Sequence, residues 1–195
     1  IYQVVFQEED LFARKDGGAF DLQEYYHQPE MYRCVLEPHL RHISALVNGI
    51  YWEPRYPRIL TRSWLRNEGF LKAFPNPQVV GDISCDIGGS VEITHKACKP
   101  DQPCFTYLPA EDRFVDGVER TGVSVMAVDN LPCEFGREAS LHFSEAIRPW
   151  LSDLIRERQV RDGKMSEVLR RATLVRDGRL TEAYAYLSSF LGGKP

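Results

Sequence analysis

Apolar and polar residues alternate with two different periods along the chain, and the change between them marks its organisation. Up to about residue 130 the apolar residues come in short runs of strand length. "ISALVNGI" (43–50), "QVVGDIS" (78–84) and "GVSVMAVD" (122–129) are nearly continuous, as expected for strands buried on both faces of a parallel sheet. "IYQVVF" (1–6) also reads as a strand, and "VEITHK" (91–96) and "CFTYL" (104–108) as β-prone pieces of an irregular excursion. Between them, "DLQEYYHQPEMYRCVLEPHL" (21–40) reads as helical, with Pro29 opening a helix and Pro38 closing it. "RSWLRNEG" (62–69) reads as a short helix capped by Thr61, after a proline-rich loop (51–57).

Past "NLP" the period becomes helical. Ala139, Phe143, Ala146, Ile147, Trp150, Leu151, Leu154 and Ile155 follow the i, i+3, i+4 rule, with Pro149 predicting a kink or two abutting segments. "MSEVLRRA" (165–172) and "TEAYAYLSSFL" (181–191) predict shorter helices, joined by a turn at Asp177-Gly178. Strand, helix, strand, helix, strand and then helices is an α/β pattern. It divides the chain into an α/β part at 1–133 and a helical part at 134–195.

In parallel α/β sheets, ligands sit beyond the carboxyl ends of the strands. Three apolar runs end in polar or glycine residues: Asn48-Gly49, the segment from Asp82 through Ile83, Ser84 and Cys85 to Asp86, and Asp129-Asn130-Leu131. A free carboxylate is costly in the middle of a buried strand, and the strand end is where it can be ordered and useful. Gly88-Gly89 allows a tight turn or a close backbone approach. Turn chemistry explains such residues equally well. For Asp82 the structural reading leads; for Asp86 and Asp129 the two readings balance.

Composition narrows the partners. The 195 residues carry a net charge of −4 with no basic run, so nucleic acid and anionic membranes are poor candidates. No apolar run reaches the roughly 18 residues of a membrane span. Five cysteines, Cys34, Cys85, Cys98, Cys104 and Cys133, form no CxxC pair. They read as small hydrophobes in a reducing, cytosol-like compartment, and no metal site is predicted. Of the five histidines only His95 lies beside the expected crevice, and packing is its better explanation.

Four stretches, "LVNGIYWEPRYPRILT", "GDISCDIGGSVEITHKAC", "VSVMAVDNLPCEFGREASLHFSEAIRPWL" and "RRATLVRDGRLTEAYAYL", closely resemble the lysine-ketoglutarate reductase half of the α-aminoadipic semialdehyde synthases. Alanine dehydrogenase and the lysine-forming saccharopine dehydrogenases are similar more weakly. The resemblance implies a Rossmann-like domain and an oxidoreductase of lysine degradation. Such an enzyme condenses L-lysine with 2-oxoglutarate and reduces the imine to saccharopine with NADP(H), NAD(H) being the other possibility. It also implies roles for single residues. Asp86 becomes the catalytic aspartate beside the reacting centre. Asn48, Gly49, Ile83, Ser84, Asp86, Asp129, Asn130 and Leu131 become cofactor-binding. A mitochondrial location follows if the source is an animal.

The glycine-rich phosphate turn of these relatives does not occur in the sequence. The chain therefore reads as the C-terminal half of a Rossmann-like sheet, followed by helices that pack toward an N-terminal catalytic domain lying outside it. Association with that portion, or with a second copy, is expected. Two alternatives stand beside the reductase: a non-catalytic half-Rossmann binding or scaffold domain, and a related NAD(P)-dependent amino-acid dehydrogenase.

Overall fold

The computed structural model describes residues 1–67, 77–159 and 166–191, without the side chains of 157–159. These form two units, Ile1–Glu134 and Phe135–Pro195.

The first six residues are not a strand. Ile1, Tyr2, Val4 and Val5 are exposed, and only Phe6 turns inward, its ring 5.8 Å from that of His39. Their β-propensity has no neighbouring strand to pair with among the described residues, and propensity without pairing holds no strand. Regular structure begins with α1 (Glu8–Leu11), β1 (Phe12–Arg14) and α2 (Leu22–His27), whose N-terminus Asp21 caps by accepting the Glu24 N–H at 2.7 Å.

The helix expected over 21–40 is broken into pieces. After α2 come a 3₁₀ turn (Pro29–Met31), β2 (Tyr32–Cys34) and α3 (Glu37–Leu40). Pro29 opens the 3₁₀ turn as its position suggests, but Pro38 sits inside the first turn of α3 instead of closing a helix. Tertiary pairing decides the middle: β2 runs antiparallel to β1, with Phe12 opposite Cys34 and Arg14 opposite Tyr32. That hairpin turns Phe12, Tyr25 and Tyr32 into one aromatic cluster, Phe12 stacking on Tyr25 at 4.7 Å and Tyr32 meeting Tyr25 edge-on at 5.4 Å.

The main sheet has five strands in the order β3-β4-β7-β5-β6: β3 (Ala45–Asn48), β4 (Val79–Asp82), β5 (Cys104–Leu108), β6 (Arg113–Asp116) and β7 (Val123–Met126). The three apolar runs give β3, β4 and β7, and these are parallel neighbours. α4 (Arg62–Leu65) follows β3, with Thr61 capping it by accepting the Trp64 N–H at 3.2 Å. The helix expected over 62–69 ends early, with Arg66 as its C-cap and Asn67 in a bend, and residues 68 and 69 lie outside those described.

The excursion adds an antiparallel edge. β5 pairs antiparallel with both β6 and β7, so the α/β sheet is mixed. The four residues between β5 and β6 explain their pairing, since so short a link joins antiparallel neighbours. "VEITHK" contributes no strand; Val91 makes a single parallel bridge to Leu60. Val80, Val91, Ile93, Phe105, Tyr107, Val123 and Val125 are fully enclosed and form the core of this unit.

In the second unit, α5 (Gly136–Gln159) is one helix with Pro149 inside it, so the two-segment alternative falls. α6 (Glu167–Ala172) is capped by Ser166. β8 (Val175–Arg176) and β9 (Arg179–Leu180) form a hairpin whose turn residues Asp177 and Gly178 both have positive φ, 51° and 77°. Such a turn requires both, which is why Asp-Gly stands there. A 3₁₀ stretch (Glu182–Phe190) replaces the last expected α-helix.

Phe105→Ala removes an enclosed ring from the sheet core and is expected to cost about 3–5 kcal/mol of unfolding free energy. Val47→Ala, on an exposed position of β3, is expected to change it by no more than about 0.5 kcal/mol. Urea denaturation of the two variants checks the contrast.

Candidate functional site

Parallel register places Asn48, the last residue of β3, directly opposite Asp82, the last of β4. Both are buried, and they are joined. Asn48 Nδ2 donates to Asp82 Oδ1 at 2.8 Å and to Ser90 Oγ at 2.9 Å. Thr94 Oγ1 donates to Asp82 Oδ2 at 2.5 Å, and the Cys85 N–H reaches Asp82 Oδ1 at 3.3 Å. Asp82 is thus the hub of a satisfied polar knot that fixes two strand ends and the loop after β4. Buried carboxylates persist where their oxygens are hydrogen-bonded.

The loop leaves that knot through a strained residue. Cys85 has φ of 53°, a left-handed conformation unusual for a side chain with a Cβ. Its thiol donates to the Ala127 carbonyl at 3.2 Å, tying the loop to the end of β7. Ser84 Oγ donates to the Ile50 carbonyl at 2.7 Å, tying it to the turn after β3. Asp86 follows on the rim, with its carboxyl exposed. The chain then folds back: Gly89 donates to the Asp86 carbonyl at 2.9 Å. A Cβ at Gly89 would stand 2.5 Å from Asp86 Cβ, so only glycine closes this turn without displacing Asp86. Gly88 has φ of 63°, and Arg58 Nη2 donates to its carbonyl at 2.9 Å.

The charge on this rim is negative. Desolvation, then the neighbouring Asp82 charge, raises the Asp86 carboxyl above its ordinary range. The Cys85 thiol is raised by burial first, then by Asp82, Asp129 and Asp86, so all three carboxylates act on one loop. Asp129 and Asn130 are exposed beyond β7, and Leu131 packs in part against the core. Ile83 is half-exposed beside them.

Of the residues expected at a site, Gly49, Ile83, Asp86, Asp129 and Asn130 therefore offer exposed surface at the carboxyl ends of β3, β4 and β7. Asn48 does not offer its side chain, which is turned into the Asp82 knot. Ser84 spends its hydroxyl on the Ile50 carbonyl. Cys85, Ser90, Thr94 and Arg58 belong to the arrangement and were not anticipated. A positive φ at Cys85 leaves no mark in sequence, and Ser90 and Thr94 carry no motif. His95 lies in an aromatic stack instead, 3.9 Å from Phe114 and 4.3 Å from Phe105 between ring centroids. Burial, helped by Lys96 and Arg62, lowers its pKa.

Two glycines leave this rim uncrowded. A Cβ at Gly49 or at Gly88 would meet nothing within 4 Å, so backbone there is open to close approach by a ligand. Among the described residues no group of three or more potential ligands could hold a metal ion, and no helix is long and apolar enough to cross a membrane. All five cysteines are free thiols.

The two carboxylates should separate cleanly in stability measurements. Asp82→Ala leaves the Asn48 amide and Thr94 hydroxyl buried without their acceptor, a loss of about 2–6 kcal/mol at about 1–3 kcal/mol per orphaned group. Asp86→Asn should shift stability by no more than about 0.5 kcal/mol, in the stabilising direction at pH 7, because the native environment disfavours the charged form. As the pH falls through the raised native value to the unfolded value of about 3.9, the wild type should recover the difference. Thermal melts of both variants between pH 3 and 7 measure this.

The comparisons agree with the geometry. The family profile for the alanine dehydrogenase/PNT C-terminal domain, a nicotinamide-cofactor-binding type, matches residues 61–183. The chain is 34% identical over 199 residues to an alpha-aminoadipic semialdehyde synthase of Arabidopsis thaliana, covering 100% of this chain and 18% of that protein. To the mitochondrial alpha-aminoadipic semialdehyde synthase of Mus musculus it is 27% identical over 203 residues, covering 96% of the chain and 22% of the relative. The Bos taurus counterpart is 28% identical over 204 residues. The chain thus spans about a fifth of the length of the curated relatives it matches. With the α/β sheet and the matched profile in agreement, the chain belongs to the alanine dehydrogenase/PNT C-terminal domain family.

Proposed function

We propose that this chain is the cofactor-side lobe of an oxidoreductase that condenses L-lysine with 2-oxoglutarate and reduces the product with NADPH to saccharopine. One observation carries the reading. Asp86 is held exposed at the carboxyl end of β4 by a turn that only Gly89 can close, above a buried Asp82 that fixes the strand end. The similarity to alpha-aminoadipic semialdehyde synthases along the whole chain supports the choice of this substrate pair.

The residues divide the work. Gly49, Ile83, Asp129, Asn130 and Leu131 form the rim on which the nicotinamide half of the cofactor would rest. Asn48 and Ser84 hold that rim in shape from behind, through Asp82 and through the Ile50 carbonyl. The nicotinamide, when bound, supplies hydride to the imine carbon. Asp86 acts on the nitrogen. Amine and ketone condense to an iminium whose positive charge the Asp86 carboxylate stabilises, and the same carboxylate orients the amine before condensation. Its raised proton affinity also suits it to hold and return a proton near the reacting nitrogen.

The test follows nicotinamide absorbance in an enzyme containing this chain, with lysine and 2-oxoglutarate, using NADPH and then NADH. Turnover that needs both substrates is expected, and Asp86→Asn is expected to lower kcat by about 10²–10⁴ while the protein stays folded. The acid limb of the rate profile should lie above the ordinary aspartate range and disappear in the same variant. Full activity of Asp86→Asn would remove Asp86 from the mechanism. Turnover with another amino acid and keto acid, but not with this pair, would move the enzyme to a sibling dehydrogenase.

A further inference from the structure

A second concave feature lies next to the strand-end rim. A cavity of about 330 Å³ opens beside Gly49, Ile50 and Tyr51, at the lower end of the ~300–1,000 Å³ typical of small-molecule sites. Its walls come from distant stretches of the first unit: Phe6, Tyr25, Tyr26, Tyr51 and Tyr56, with Glu8 among them. Tyr25 and Tyr56 are buried, their rings 5.3 Å apart, and make a fixed wall; Tyr26 and Tyr51 are exposed and stand at the mouth.

The lining has a definite electrostatic character. It contains one ionisable acid and no lysine or arginine. The half-buried Glu8 carboxylate accepts a single hydrogen bond from the Tyr26 hydroxyl at 3.2 Å, which leaves acceptor capacity free. The nearby Arg55 lies 4.8 Å over the Tyr56 ring but is paired with Glu53 at 3.1 Å. Ring faces carry negative quadrupole potential, so this cavity repels anions and attracts cations. A phosphate or carboxylate would meet a like charge at Glu8 and no lysine or arginine in the lining to pair with it. A neutral apolar chain would cover Glu8 without pairing it, which costs free energy. A primary ammonium on an alkyl chain satisfies both parts: methylenes along the rings, charge at Glu8.

We infer that this aromatic cavity is a binding site for an alkylammonium group, with Glu8 as its counter-charge and the exposed Tyr51 as its outer wall. The inference goes further than the proposed function by placing the amine component in a named pocket, and it rests on that reading only for the identity of the amine. Gly49 belongs both to the pocket and to the rim, so an amine held here sits next to the crevice where Asp86 stands.

Titration of the chain with n-pentylammonium chloride, followed by tyrosine and tryptophan fluorescence and by ring proton NMR, tests it without cofactor or keto acid. Absence of reductase activity therefore leaves the result unaffected, and failure of the pocket leaves the reductase reading standing. Saturable binding is expected that weakens at least about fivefold in Glu8→Gln and in Tyr51→Leu, and that weakens with salt. Glu8→Gln keeps an acceptor for the Tyr26 hydroxyl, and Glu9→Gln on the adjacent exposed position serves as a charge control expected to bind normally. Equal saturation by 1-pentanol, unchanged binding in Glu8→Gln, no saturable binding at all, or occupation by adenosine that pentylammonium does not displace would each overturn the assignment.

Discussion

The architecture of the first unit depends on a carboxylate that cannot be solvated. Asp82 ends β4 inside the protein, and its charge is held by neutral donors alone among its described partners: an amide from β3, a hydroxyl from Thr94 and the backbone N–H of Cys85. Each donor comes from a different stretch of chain, so satisfying the charge also aligns those stretches. Leaving any of them out would strand a buried polar group, and this cost makes the strand ends register-locked rather than merely adjacent.

Everything on the rim follows from that lock. Asp82 draws in the Cys85 amide, and this pull, together with the thiol bond to the Ala127 carbonyl, maintains a left-handed residue where none is locally favoured. Local strain of this kind persists only where its surroundings over-determine it. The result is that Asp86 emerges at a fixed place, with the Gly88-Gly89 turn folding back beneath it and Arg58 holding the two glycine carbonyls at 2.9 and 3.1 Å. The two aspartates four residues apart thus differ in kind: Asp82 is interior and structural, and Asp86 is exposed.

The sheet was largely legible and its decoration was not. Continuous apolar runs marked β3, β4 and β7 because a strand buried on both faces has no polar side to show. Asp177-Gly178 announced a turn, though not the two short strands beside it, because the turn demands two positive φ values. The segment 21–40 misled because local helix signals outweighed, in sequence, a pairing between Phe12–Arg14 and Tyr32–Cys34 that only the fold brings about. At the site, the structural weight given to Asp82 agrees with its burial, and the exposure of Asp86 and Asp129 agrees with a place at the rim. What sequence could not show is which way a side chain turns: Asn48 faces the knot while its neighbour Gly49 faces the opening.

The electrostatics of the rim also limit what can rest there. Asp82, Asp86 and Asp129 all act on Cys85, and Asp82 has no cation among its described partners, so negative potential extends from the interior to the surface. Low-dielectric walls strengthen such a field. It favours groups that are or become positive, an ammonium, an iminium or an oxidised pyridinium ring, and disfavours phosphates at the same place. On the proposed reading, a dinucleotide would present its ring end to this rim and hold its phosphates away from these carboxylates. Positive charge developing during hydride transfer would then meet a field already oriented to receive it, without any reorganisation of the knot beneath.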